Sequence, residues 1–209
     1  MKNIELINKL ILKSKFIPEL GLFTGKIGIT ITLFELFKKY HNRVFEELGL
    51  ELIANTFDEL TNKYSYDISF GYGLSGIGWG IEYLIYHGFF DNSDLDICSD
   101  IDNRVYEYDP RRISDFTIET GLEGLIHYIV IRFNNIDPLY KKELYQKIIS
   151  STNTHTISNY GIYKVFLDYY ETNKTGYKPN IYEFISKNIN NKEFGIENGI
   201  SGTILKSLL

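Results

Sequence analysis

Few side chains in this sequence can move a proton, hold a metal or attack a substrate: four histidines, a scatter of acids and a single cysteine. His127 lies one helical turn beyond a Gly-x-x-Gly pair, where an imidazole could face a cavity. Glu123 lies within such a pair, Glu35 and Glu82 follow others, Asp168 follows a lone glycine, and Glu119 falls just before a pair. Two carboxylates lining one cavity are the equipment of a glycan hydrolase or lyase, one acid protonating the leaving oxygen and the other acting as base. Most acids on helices instead cap N-termini or reach solvent. Asp91, Asp94, Asp96, Asp100 and Asp102 form an acidic stretch, DNSDLDICSDID, without the central glycine and closing glutamate of a calcium loop. It reads as a solvated loop. Cys98 within it has no base nearby in sequence, so no nucleophile is assigned.

The elements that must position these groups are marked by glycines. Gly25/Gly28, Gly73/Gly76, Gly121/Gly124 and Gly199/Gly202 each open an apolar run, and Gly161 opens a fifth alone. A period of about 40 to 50 residues corresponds to one helical hairpin per repeat. Each marker is followed by an apolar segment of helical length, such as ITITLFELF after Gly28 and IGWGIEYLI after Gly76. In the first, Ile27, Ile31, Phe34 and Phe37 form one stripe while Ile29, Leu33 and Leu36 form another, the pattern of an inner helix. Amphipathic stretches at residues 3 to 13, 44 to 62, 138 to 149 and 180 to 189 read as outer helices, with Pro138 and Pro179 at helix starts. The least regular connection runs from Asp91 to Asp115.

Glycine at the start of a buried helix permits close backbone approach. It also sets the inner-helix N-termini along one rim, where unpaired N–H groups and the helix dipole would favour an anionic or carbonyl-bearing ligand. The same glycines explained by packing alone need no ligand. Gly71-Tyr-Gly73-Leu-Ser-Gly76 is a literal G-x-G-x-x-G. Because it is one copy of a repeat in an all-helical pattern, without alternating strands, it does not indicate a dinucleotide site.

Composition restricts the function further. The 209 residues are 44% hydrophobic, with no Ser/Pro/Gly-rich linker, which fits one domain over 1–209. A formal charge of -5 argues against nucleic acid as a partner. Lys2, Glu5, Lys9 and Lys13 interrupt the apolar N-terminal stretch as no signal peptide would allow, and no run reaches the length of a membrane span. With one cysteine no internal disulfide can form, and a cytoplasmic location is expected.

The segments GLFTGKIGI and GLSGIGWGIEYL resemble those of the lanthionine synthetase C-like proteins, whose repeats carry GL-x-x-G-x-x-G before each inner helix. The repeat pattern matches along essentially the whole chain. The resemblance implies an α/α toroid and a role in maturing ribosomally made peptides. Cyclases of that family add a peptide cysteine thiol to a dehydrated Ser or Thr, using zinc held by two cysteines and a histidine. In matching register those three positions are Thr156, Glu197 and Asn198, with His155 beside the first. The set lacks thiolates and imidazole, so neither zinc nor another cofactor is expected unless the register differs. With five inner helices against the family's seven, the resemblance implies a reduced or partial toroid. Either a smaller ring closes, or an apolar flank stays open to a second copy or a peptide-modifying enzyme. The expected role is binding a precursor peptide or scaffolding its modifying enzyme, with active cyclisation as the alternative.

Overall fold

The computed structural model describes residues 2–62, 67–90, 97–135, 138–151, 161–172, 176–185, 194–197 and 199–209. Its α-helices are α1 (Lys2–Lys13), α2 (Lys26–Tyr40), α3 (Arg43–Asn62), α4 (Leu74–Tyr86), α5 (Ile97–Glu107), α6 (Leu122–Arg132), α7 (Pro138–Ser151), α8 (Gly161–Thr172) and α9 (Ile200–Lys206). Among the described residues there is no strand. The residues before Gly73 run as loop over 67–69 and turn at Phe70.

The apolar segments become the inner helices because they have no polar face to give to water. In α2 every residue from Lys26 to Leu36 is buried, and in α4 every residue from Leu74 to Ile81. Amphipathic α3 packs along α2 and exposes its other face. Inner helices α2, α4, α6 and α8 are neighbours in that order, while α9 packs back against α2 and α1. Ile200 and Ile204 of α9 share one apolar cluster with Leu10 of α1 and with Ile29, Leu33 and Leu36 of α2. The flank of the first inner helix is therefore covered by the last. The architecture is an α/α toroid, with α2, α4, α6, α8 and α9 as the inner helices among the described residues.

Four inner helices begin in the same way. Gly25, Gly73, Gly121 and Gly199 are the N-cap residues of α2, α4, α6 and α9, all in extended backbone conformation. The second glycine of each pair sits under the chain's own approach loop. A methyl group at Gly28, Gly76, Gly124 or Gly202 would overlap the carbonyl of Leu22, Phe70, Ile118 or Ile196, in every case six residues earlier. Space, not an unusual φ, requires glycine there. The fifth marker differs among the described residues, because Gly161 is the exposed first residue of α8 and none of them stands within 4 Å of a Cβ built on it.

Two other sequence expectations are corrected. The stretch expected to form an outer helix at 180–189 is, in its described part, a 3-10 turn at Ile181–Phe184. Asn180 sets it by accepting from the Tyr182 N–H at 3.1 Å, and the Ile185 N–H closes it on the Tyr182 carbonyl. Within the irregular 91–115 connection, Cys98, Ile101, Asp102 and Val105 lie on one buried face of α5. Asp102 is 7% exposed and is no part of a solvated loop, whereas Asp100 is exposed. Asp91, Asp94 and Asp96 lie outside the described residues.

Candidate functional site: the centre of the ring

The rim formed by the glycine loops is closed by backbone bonds of its own. The first N–H groups of α2 donate to Glu19 O (2.9 Å, from Lys26) and Leu20 O (3.1 Å, from Ile27). Leu74 N–H of α4 donates to Asp67 O at 2.8 Å, and Leu122 N–H of α6 donates to Asp115 O at 3.1 Å. These are donors that a helix start leaves orphaned, and here the loop takes them. Asp67 and Asp115 also fold the loops locally, accepting from the N–H of Ser69 and of Thr117 two residues on. Hydrogen bonds from the Thr117 and Thr120 hydroxyls help hold the Asp115 carboxyl below the usual range. The pattern Asp-x-Ser/Thr four residues ahead of the N-cap glycine, in DISFGYG and DFTIETG, was a sequence signal beyond the glycines themselves. The loops then bond to one another. Ile196 N–H donates to Phe23 O, Phe23 N–H to Gly71 O, and Gly71 N–H to Glu119 O, each at 2.8 Å.

Inside the ring, Trp79 and Tyr83 of α4 and His127 of α6 face the chain's own segment Gly176–Ile185. Trp79 Nε1 donates to the Tyr177 hydroxyl at 2.9 Å, and that hydroxyl lies 2.8 Å from His127 Nδ1. The Phe184 ring stands 5.0 to 5.9 Å from those of Trp79, Phe70, His127 and Phe23. Pro179 is buried and its carbonyl lies 3.4 Å from His87 Nε2 at the end of α4. Deeper along α2, Glu35 is only 9% exposed and accepts from the Tyr83 hydroxyl at 2.9 Å. Burial depresses His127 to about 3, so it is a neutral imidazole at physiological pH. Burial pushes the Tyr177 and Tyr83 hydroxyls up, with Glu35 adding to the rise at Tyr83. Around Tyr177 the centre is therefore uncharged and aromatic, with the Glu35 carboxyl beside it on Tyr83, and it is filled by residues 176–185.

Glu82 belongs to a different place. Its carboxylate accepts from Arg132 Nη1 at 2.5 Å, on the side of α4 and α6 that meets α5. Arg132 also forks onto Asp102 through Nε and Nη2, and Asp102 accepts from Tyr128 (2.5 Å) and Tyr106 (3.2 Å). Burial raises the Glu82 carboxyl against the opposing pull of Arg132. Cys98 does have an acidic neighbour, since its thiol is hydrogen-bonded to Glu82. Burial, opposed by Arg132 and reinforced by Glu82 and Asp102, pushes that thiol up to about 12. It is a protonated, buried group at neutral pH. Glu123 is half-buried at the start of α6, raised by burial and by Glu119. Asp168 is exposed on α8. Glu82, Glu123 and His127 thus serve three separate environments.

The sequence model of the family described as lanthionine synthetase C-like protein matches residues 17–209. The chain belongs to the lanthionine synthetase C-like family. Searches of curated proteins and of solved structures return no match. In this lanthionine synthetase C-like chain the loop with the pattern GIENGISG carries Glu197, half-buried between Ile196, which is bonded to Phe23, and the α9 N-cap Gly199. Thr156, His155 and Asn198 lie outside the described residues. Were a metal held in the register expected from the sequence, at Thr156, Glu197 and Asn198, the donors would be a hydroxyl, a carboxylate and an amide in place of two thiolates and an imidazole, a set that does not fit zinc. The one cysteine sits on α5, engaged with Glu82. Among the described residues no three of His, Cys, Asp and Glu gather as a metal-binding group, and no helix is long and apolar enough to cross a membrane.

Proposed function

We propose that this lanthionine synthetase C-like protein holds a precursor peptide, or scaffolds the enzyme that modifies it, without cyclising the peptide itself. The observation that carries this reading is the donor set. Thioether formation near neutral pH requires a means of holding the incoming cysteine as thiolate, since a free thiol with a value of about 8.5 stays largely protonated. Neither the residues at the matched positions nor Cys98 supply a soft ligand to do so. What the chain retains is the toroid and an aromatic centre with a few placed polar groups, a surface suited to an extended peptide. A cytoplasmic setting and the absence of a resident cofactor belong to the same reading.

The test uses a dehydrated precursor peptide carrying one cysteine. It is incubated with the purified protein, with and without added zinc, and free thiol is then counted by alkylation and mass spectrometry. Retention of the peptide on immobilised protein, with its thiol still open to alkylation, is expected. Chelator-sensitive loss of the free thiol would establish the cyclase instead, and no retention would remove the peptide-binding role.

A further inference from the structure

The ring's frame and its filling are held by separate means. The frame consists of the loop ladder through Phe23, Gly71 and Glu119, the helix packing of α2, α4 and α6, and the Arg132 cluster against α5. None of these bonds involves residues 176–185. The filling is held by side chains: the Tyr177 hydroxyl on Trp79 and His127, the Phe184 ring among four aromatic neighbours, and a histidine on the Pro179 carbonyl. It is an extended stretch of chain with one 3-10 turn, YKPNIYEF, lying inside a toroid.

The chemistry at Tyr177 is selective. Trp79 Nε1–H can only donate, so the atom opposite must accept. Having accepted from Trp79, the Tyr177 hydroxyl still has a proton to give, and His127 Nδ1 takes it when the imidazole carries its own proton on Nε2. To that tautomer a carbonyl cannot donate, and an ammonium cannot accept from the indole. A hydroxyl does both, and the Phe184, Phe70 and Tyr83 rings around Trp79 and His127 suit one carried on an aromatic ring.

We propose that residues 176–185 are an internal ligand of the ring, and that the fork between Trp79 Nε1 and His127 Nδ1 is a subsite for a tyrosine hydroxyl, which an incoming tyrosine-bearing peptide occupies by displacing Tyr177. This deepens, and rests on, the peptide-holding role proposed above. It assigns the peptide a tyrosine followed closely by apolar residues, as in the internal segment.

Trp79 is the single tryptophan of the chain and reads the site directly. In the wild type its emission is that of a buried indole with little acrylamide quenching. Phe184→Ala and the double variant with Tyr177→Phe are expected to shift the emission to the red and raise quenching severalfold, with helical circular dichroism retained. A synthetic peptide of the sequence GYKPNIYEFI, added to the double variant, is expected to restore the buried signal. The same peptide with phenylalanine in place of its first tyrosine is expected to bind about tenfold more weakly, the effect of one lost hydroxyl partner at a buried site. Unchanged emission and quenching in both variants, or loss of helix in both, overturns the proposal, since the segment is then either not the cover of Trp79 or part of the frame. Opened variants that ignore the peptide overturn the subsite. If the opened variant takes GYKPNIYEFI but not the dehydrated precursor peptide, the internal ligand stands and the proposed function fails.

Discussion

Helices α4 and α6 carry a buried polar network on each side, and the two are built from opposite materials. Toward α5 lie Arg132, Asp102 and Glu82, full charges joined by a forked guanidinium with two tyrosine hydroxyls in support. Toward the centre lie Trp79 and His127, uncharged groups whose partner Tyr177 arrives on a loop segment, while Tyr83 beside them donates to the buried Glu35 of α2. Breaking a buried ion pair strands a charge, whereas withdrawing a neutral partner strands only a dipole that water or another hydroxyl can satisfy. The charged side fastens helices together; the neutral side is suited to exchange of its occupant.

The largest effect is expected on the charged side. Arg132→Ala leaves Asp102 and Glu82 buried without their cation and should cost about 3–5 kcal/mol in urea unfolding. If the cost is below about 1 kcal/mol, the range of an exposed pair, the two sides do not differ as described.

The pH dependence separates them next. His127 titrates near 6.5 when unfolded and is driven to about 3 by burial in the folded protein. The unfolded chain therefore binds the extra proton between those values. The stability that neutral His127 contributes is complete above pH 6.5 and is lost as pH falls toward 3. Thermal melts of wild type and His127→Gln should differ by about 2–3 kcal/mol less at pH 4.5 than at pH 7.5. A pH-independent difference would mean that the imidazole is solvated.

Deleting one hydroxyl on each side sharpens the contrast. Tyr177→Phe leaves both Trp79 Nε1–H and His127 Nδ1 without that partner and should cost about 1–3 kcal/mol. Tyr106→Phe leaves Asp102 still bonded to Arg132 and Tyr128 and should cost no more than about 1 kcal/mol. Equal losses by chemical denaturation would count against the asymmetry.

Much of the frame was legible because each repeat writes its own local rule. A glycine pair ahead of an all-apolar run located α2, α4, α6 and α9, since the approach loop passes over the helix start wherever that pair occurs. At Gly161 no described atom stands over the helix start as it does at the paired glycines, which sequence spacing alone does not distinguish. At this exposed helix start Gly161→Ala should be neutral or stabilising by up to about 1 kcal/mol, the smallest effect of the set, read from Tm. Asp102 was misread among its acidic neighbours, although Cys98, Ile101 and Val105 mark a helical stripe that includes it. Its partner Arg132 is thirty residues away on α6, beyond any local pattern. Ile181, Phe184 and Ile185 have helical spacing, yet they are buried by the ring around them and not by a helix face of their own. The central site therefore depended on long-range contacts for its definition, and the glycine rim did not.

The bond from Ile196 to Phe23, with α9 seated on α2, also has a kinetic consequence. Helix α2 is made well before α9, and the apolar side that Ile200 and Ile204 cover lacks that cover until the chain near residue 200 has been synthesised. Contacts so distant in sequence form late and slow the search for the folded state. Until α9 docks the ring is an arc with one sticky end, and that interval is when misassembly between nascent chains is most favoured.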